Sequence, residues 1–320
     1  MGNFFKSLFS SPKAEDSSET ISKNDKKNFD IFKYDGIRAQ QMGRIPYAIK
    51  CFTEALNIQD DFETMTYLVG AYINTHEFED ALEITYRMVG IEPANKVSYL
   101  TRTNILLLLE KGEEAIADCR QVIELEENNP LAWYLMGKAK KITNDLTGAI
   151  EDLTKAITIK DDFTEAYLLR GEILVETNQP GNALPDIEKA IELAPEEESV
   201  YLLRGQIYEE LDNFSAAADD YNQVLELNPF NTDASVFLGA LLIRTGQLDE
   251  AVTLFDDLIE LKPDFAIAYK ERAKAKELKG NKEGAEEDRK TALELNPENE
   301  EEKTENQLPH FNDMYKGGLY

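Results

Sequence analysis

Residues 198–231 read ESVYLLRGQIYEELDNFSAAADDYNQVLELNPFN. Tyr201, Gly205 and Tyr208 are spaced four and three residues apart, which puts them on one stripe of a helix. A second stripe runs from Ala217 through Tyr221 and Leu225 to Leu227. Between them Leu211-Asp212-Asn213-Phe214 breaks the phase and supplies turn residues. Pro229 closes the second helix, because proline cannot continue one. The stretch therefore reads as two amphipathic helices joined by a tight turn, with Gly205 small enough to let them approach closely. Neither helix can bury its stripe alone, so such units must stack on neighbours.

The neighbours are present. Pro195, Pro229, Pro263 and Pro297 stand 34 residues apart. The same interval, taken backwards, reaches Asp161, Glu127, Pro93 and Gln59, each of which follows an apolar helix ending. Units begin near Phe62, Lys96, Pro130, Thr164, Glu198, Thr232 and Ala266. A looser unit near Phe29 carries Gly36, Gly43, Ala48, Phe52 and Ala55, one residue out of register. That makes eight units over about residues 29–299, with residues 1–27 and 300–320 as tails. Below, positions 1 to 34 are counted from the first residue of each unit.

The units resemble the tetratricopeptide repeat, W-x2-L-G-x2-Y, then A-x3-F, then P. Trp133, Met136, Gly137, Ala149 and Leu153 follow it in one unit, and Leu238, Gly239, Leu242, Gly246, Ala251, Phe255 and Pro263 in another. The resemblance implies an all-α fold, an α-solenoid of helix-turn-helix repeats wound into a right-handed superhelix. It also implies that the first helix of each unit lines a concave face on which extended peptides lie. On that footing the partner-binding candidates are Asn104, Tyr134, Lys138, Leu168, Glu172, Leu202 and Gln206 at positions 5 and 9, with Arg244 at position 13. An apolar wall would take side chains, and a polar ladder would bond the peptide backbone. The alternative is that some position-5 residues are core and the ladder is only solvated. The family's carboxylate-clamping set does not match, since Thr66, Gly70 and Leu100 stand where its residues would be wanted.

Aligning the units with one another brings out a paired change. Position 7 is Arg102, Arg170, Arg204 and Arg272, and in the same units position 23 is Asp118, Asp186, Asp220 and Asp288. Where position 7 is Leu68 or Leu238, position 23 is Ile84 or Leu254; Met136 with Asp152 is the exception. The two positions are expected to touch, within a unit or across to the next, as a structural pair rather than a ligand site.

The remaining features narrow the function. The formal net charge of −28 disfavours nucleic acid as a partner. Cys51 and Cys119 are too few for a disulfide framework, which fits a reducing compartment, and Cys119 sits at a core position. His76 at an interhelix turn and His310 in the tail form no metal-ligand cluster. Phosphate loops and nucleophile motifs are missing, so neither a cofactor nor an enzyme is expected. Pro185 is expected in the first turn of a helix that starts after Asn182, where no backbone donor is needed. The last unit has Arg289 where others place an apolar residue, as a polar cap requires. Ser11 to Asn28 reads as disordered from its composition. Phe4, Phe5, Leu8 and Phe9 share one helical face, which is either a weak membrane-surface anchor or a piece that packs on its own first repeat. The sequence thus points to a cytoplasmic, non-catalytic scaffold that binds a protein or peptide. A peripheral membrane adaptor comes second, and the regulatory helical portion of an enzyme complex third. Oligomeric state is not legible.

Overall fold

The computed structural model describes residues 22–296. All regular structure among them is helical, in antiparallel pairs that follow the 34-residue units. One compact unit holds α1 (Lys23–Gln41), α2 (Ile45–Ile58), α3 (Phe62–Asn74), α4 (Phe78–Ile91), α5 (Lys96–Leu108) and α6 (Gly112–Leu125). The other holds α7 (Pro130–Ile142), α8 (Leu146–Ile159), α9 (Thr164–Glu176), α10 (Pro180–Leu193) and α11 (Glu198–Glu210). It continues with α12 (Phe214–Leu227), α13 (Thr232–Arg244), α14 (Leu248–Leu261), α15 (Ala266–Leu278) and α16 (Lys282–Leu295). From α3 onward each odd-numbered helix starts on the residue at which the sequence register starts its unit.

Every unit makes the same turn. Position 15 is left-handed in all of them: Gly43, His76, Glu110, Asn144, Asn178, Asp212, Gly246 and Gly280 have φ between 54° and 85°. The next N–H then returns to the carbonyl at position 11, as in Asn213 to Tyr208 (2.7 Å) and Lys111 to Leu106 (2.8 Å). These bonds satisfy carbonyls that the helix end would otherwise leave unpaired. Since Gly43 shares position 15, the first unit is in register through its turn. The residue that it lacks is missing from the link between α2 and α3.

Within a unit, helix contact is set by size at positions 8 and 24. A Cβ on Gly239 would lie 2.2 Å from the Phe255 ring, and one on Gly205 2.5 Å from the Tyr221 ring. Where position 8 is larger, position 24 shrinks, as in Val69 with Thr85 and Thr103 with Cys119. Cys119 is fully buried there, with its Sγ 4.0 Å from Thr103 Oγ1. Between neighbouring repeats of the second compact unit, positions 24, 27 and 28 of α8 pack on α9. Leu153, Ala156 and Ile157 of α8 form one cluster with Ala166, Leu169 and Ile173 of α9.

The pairs at positions 7 and 23 form inside each unit. Arg204 donates to Asp220 from Nε (2.9 Å) and from an Nη (2.6 Å), and Arg102, Arg170 and Arg272 repeat the fork on Asp118, Asp186 and Asp288. Two arginines also reach back one unit, Arg170 to Thr154 (2.9 Å) and Arg272 to Asp256 (2.6 Å). The exception is resolved by another residue: Lys140 Nζ stands 2.6 Å from Asp152, in place of the arginine that Met136 cannot supply. A third contact runs to three of the prolines. Tyr99, Tyr201 and Tyr269 at position 4 donate to the carbonyls of Pro93, Pro195 and Pro263 at 3.0–3.2 Å.

Two sequence expectations need correction. Residues 23–28, within the stretch read above as disordered, are the first turns of α1. Ser22 caps that helix by accepting from the Asp25 N–H (3.1 Å) while its own hydroxyl donates to the Asp25 carboxylate (2.6 Å), and composition alone outweighs so local a signal. Pro185 is not in a first turn, because α10 starts at Pro180. Pro185 therefore denies the Gly181 carbonyl its helical partner, which is tolerable because Gly181 is exposed. Phe4, Phe5, Leu8, Phe9 and His310 lie outside the described residues. Among the described residues no helix is long and apolar enough to cross a membrane. On α16 only Ala285 and Asp288 are buried, and Arg289 bonds Glu277.

Candidate functional site

The odd-numbered helices carry the candidates, and burial sorts them. In the compact unit of α1–α6, Asn104 is exposed on α5 and bonds the Leu100 carbonyl of its own helix (3.1 Å). Thr66 does the same with Phe62 (2.9 Å). Position 5 of the first repeat is Lys33, and it is buried. Its ammonium sits 2.9 Å from Asp61 and 2.6 Å from Glu63, so that side chain ties α1 to the start of α3.

In the second unit Tyr134, Lys138 and Lys141 of α7 face Leu168, Glu172 and Glu176 of α9. Lys141 Nζ stands 3.3 Å from Glu172 and 3.7 Å from Glu176. The Tyr134 ring lies 5.0 Å from that of Phe163, and Lys138 Nζ lies 5.8 Å from its centroid. Burial pushes the Tyr134 phenol up to about 12, and Glu165 and Glu172 add to the shift. Burial also raises the Glu172 carboxyl above its usual range, against the pull of Lys141 and Lys138. Lys138 is solvent-reached, but the walls around it thin its hydration and lower its pKa. It makes no ion pair among the described residues. This is a short run of opposite charges on an apolar floor, able to bond both donors and acceptors.

Further along the helices the face closes. Leu202 and Val236 are 3% and 2% exposed and belong to the core, as is Ala240 at position 9. For Leu202 the reading of position 5 as core is the one that fits. Gln206 is half-buried, with its Oε1 covered and unbonded. Arg244 is engaged elsewhere. Its guanidinium lies 4.4 Å from the Phe214 centroid, 3.3 Å from Asp212 and 3.6 Å from Glu209, and so packs on the turn of the preceding repeat. Spacing alone could not show that Lys141, Glu176 and Phe163 join this face, because their partners come from the adjacent repeat. A separate hollow of about 770 Å³ lies in the first unit between Pro93–Val97 and Leu125–Glu126, and the Lys96–Glu126 ion pair (2.6 Å) spans it. Among the described residues no group of His, Cys, Asp or Glu could hold a metal ion.

A tetratricopeptide repeat model matches residues 168–232, 202–264 and 238–300, and a second one matches 131–163, together more than half of the chain. The chain belongs to the tetratricopeptide repeat family. Solved structures are similar in fold. A tetratricopeptide repeat protein from Parabacteroides merdae is 15% identical over 83% of this chain and 99% of that one, with a TM-score of 0.60. MamA from Desulfovibrio magneticus RS-1 is 22% identical over 53% and 96%, with a TM-score of 0.50. YrrB, described as a TPR protein with an unusual peptide-binding site, is 24% identical over 57% and 93%, with a TM-score of 0.48. No curated protein matches the sequence. As a tetratricopeptide repeat array the chain is a protein-interaction scaffold.

Proposed function

We propose that the face formed by α7, α9 and α11 binds an extended peptide segment of a partner protein. The observation that carries this is the contrast along one register. Positions 7, 8, 23 and 24 are locked to one another, while position 9 runs Lys138, Glu172, Gln206 on successive helices. Lys138 offers an exposed donor that has no ion-pair partner among the described residues. The half-buried Tyr134 and Leu168 supply apolar contact beside them. A peptide backbone brings one donor and one acceptor per residue, which suits such a face.

The test is selection of binders from a random peptide library, followed by affinity measurement on variants. Tyr134→Ala and Lys138→Ala should each weaken a selected peptide by about tenfold, as loss of a contact residue does. Glu192→Ala on α10 should leave it unchanged. Equal affinity for all three variants and the parent would refute the assignment of the face.

A further inference from the structure

We infer that the first repeat carries an open stacking surface on α1, and that the chain's own Phe4–Phe9 segment covers it. Position 3 is 0% exposed in each of the seven later repeats, from Thr64 and Ser98 to Val200 and Ala268. In α12 and α13 the reason is visible: Ala234 and Phe237, at positions 3 and 6, pack against Tyr221 and Val224 of the preceding repeat. The equivalent residues of the first repeat are Ile31 and Tyr34, and they are 46% and 58% exposed. Among the described residues nothing covers these two stacking positions.

The size of the patch selects its occupant. It is bounded along the helix by the Asp35–Arg38 ion pair, and Arg38 stands at position 10, where the later repeats bury Ala, Ile or Leu. A full 14-residue partner helix of about 21 Å would therefore lay much of its length on charge. Two apolar side chains also fall far short of the roughly 800 Å² per partner that a stable dimer buries. A short apolar segment fits instead. Phe5-x-x-Leu8-Phe9 reproduces the spacing of Tyr221-x-x-Val224-Leu225 and Phe255-x-x-Leu258-Ile259, which are the residues that cover the next repeat inside the array. Ile31 is larger than the Thr, Ser, Ala and Val at position 3 elsewhere, so its cover must stand further off, and the long rings of Phe5 and Phe9 suit that distance.

The connection is long enough. Run antiparallel to α1, the segment would bring Phe9 beside Ile31, about 12 Å along the helix from Lys23 at 1.5 Å per residue. The 13 residues from Ser10 to Ser22 span about 20 Å even as a random coil. The segment would act as a partial second helix that finishes the array at its first repeat.

Hydrogen exchange of the full chain, read by mass spectrometry, tests this. In the parent, amides of residues 4–9 should exchange about tenfold more slowly than free chain, independent of protein concentration. The protection should vanish in Ile31→Asp/Tyr34→Ser and equally in Phe5→Ser/Phe9→Ser, a variant that leaves every described helix untouched. Free-chain exchange in the parent would overturn the inference. So would protection that survives Ile31→Asp/Tyr34→Ser, that grows with concentration (a second copy), or that needs phosphatidylcholine–phosphatidylglycerol vesicles (a lipid surface).

Discussion

Replacing Arg204 by leucine removes both bonds to Asp220, at 2.9 and 2.6 Å, and leaves a carboxylate only 4% exposed without its cation. An uncompensated buried charge costs about 3–5 kcal/mol, and the low end applies because the arginine side chain is 23% exposed and admits water. Asp220→Leu should cost less, about 1–2 kcal/mol, since the freed guanidinium can turn to solvent. The double leucine variant should fall within about 1 kcal/mol of the parent, because apolar groups of matching volume replace such pairs at little cost. The array itself supplies the precedent: Leu238 with Leu254, and Leu68 with Ile84, hold the same two positions. The expected coupling energy is thus about 3 kcal/mol. Urea unfolding followed by far-UV circular dichroism measures it, with hydrogen exchange of α11 and α12 as a local check. A double variant whose loss equals the sum of the single losses, within about 0.5 kcal/mol, would refute the pairing as an energetic unit.

Other consequences can be checked in the same way. Gly239→Ala places a Cβ 2.2 Å from the Phe255 ring and should cost about 1–3 kcal/mol, and adding Phe255→Cys should recover part of the loss, in imitation of Thr103 with Cys119. Glu110→Gly should raise the midpoint of thermal unfolding, by about 1 kcal/mol in stability, because glutamate at φ 54° is strained and its repeat uses no special contact there. At Lys33, bonds to Glu63 and Asp61 outweigh burial and raise the ammonium above 10.5, while Thr64 and Lys33 outweigh burial at Asp61 and lower it below 3.8. The stability lost in Lys33→Met should therefore be constant between about pH 5 and 10. It should diminish as pH falls through the folded Asp61 value or rises through the folded Lys33 value.

The register, the repeat boundaries and the Arg–Asp pairing were legible because each is written many times over, so units can be compared without outside information. What was not legible depends on neighbours in space. Leu202 and Leu168 share position 5, yet the first is core and the second half-open, since the closeness of adjacent helices and not the local pattern decides it. Lys33 is a charged residue at a position expected on a surface, and its burial rests on Asp61 and Glu63, 28 and 30 residues away. Arg244 looks like a groove residue by position, but Phe214, Asp212 and Glu209 of the preceding repeat hold it. The early start of α1 hung on one short-range cap at Ser22 and Asp25. The offset of Pro185 hung on a helix start three residues earlier than Asn182 suggests.

Both locks, glycine against a ring at positions 8 and 24 and arginine against aspartate at positions 7 and 23, close across the turn of a single unit. The link itself carries no such lock; in three of the links a tyrosine hydroxyl donates to a proline carbonyl. Genetic exchange is therefore cheap at one place and expensive at another. A crossover in the link moves a repeat with its matched pairs intact. A crossover in the turn joins a glycine to a cysteine, or a leucine to an aspartate, and yields a unit with a void or an unpaired charge. An array built this way can lengthen or shorten by shuffling whole units.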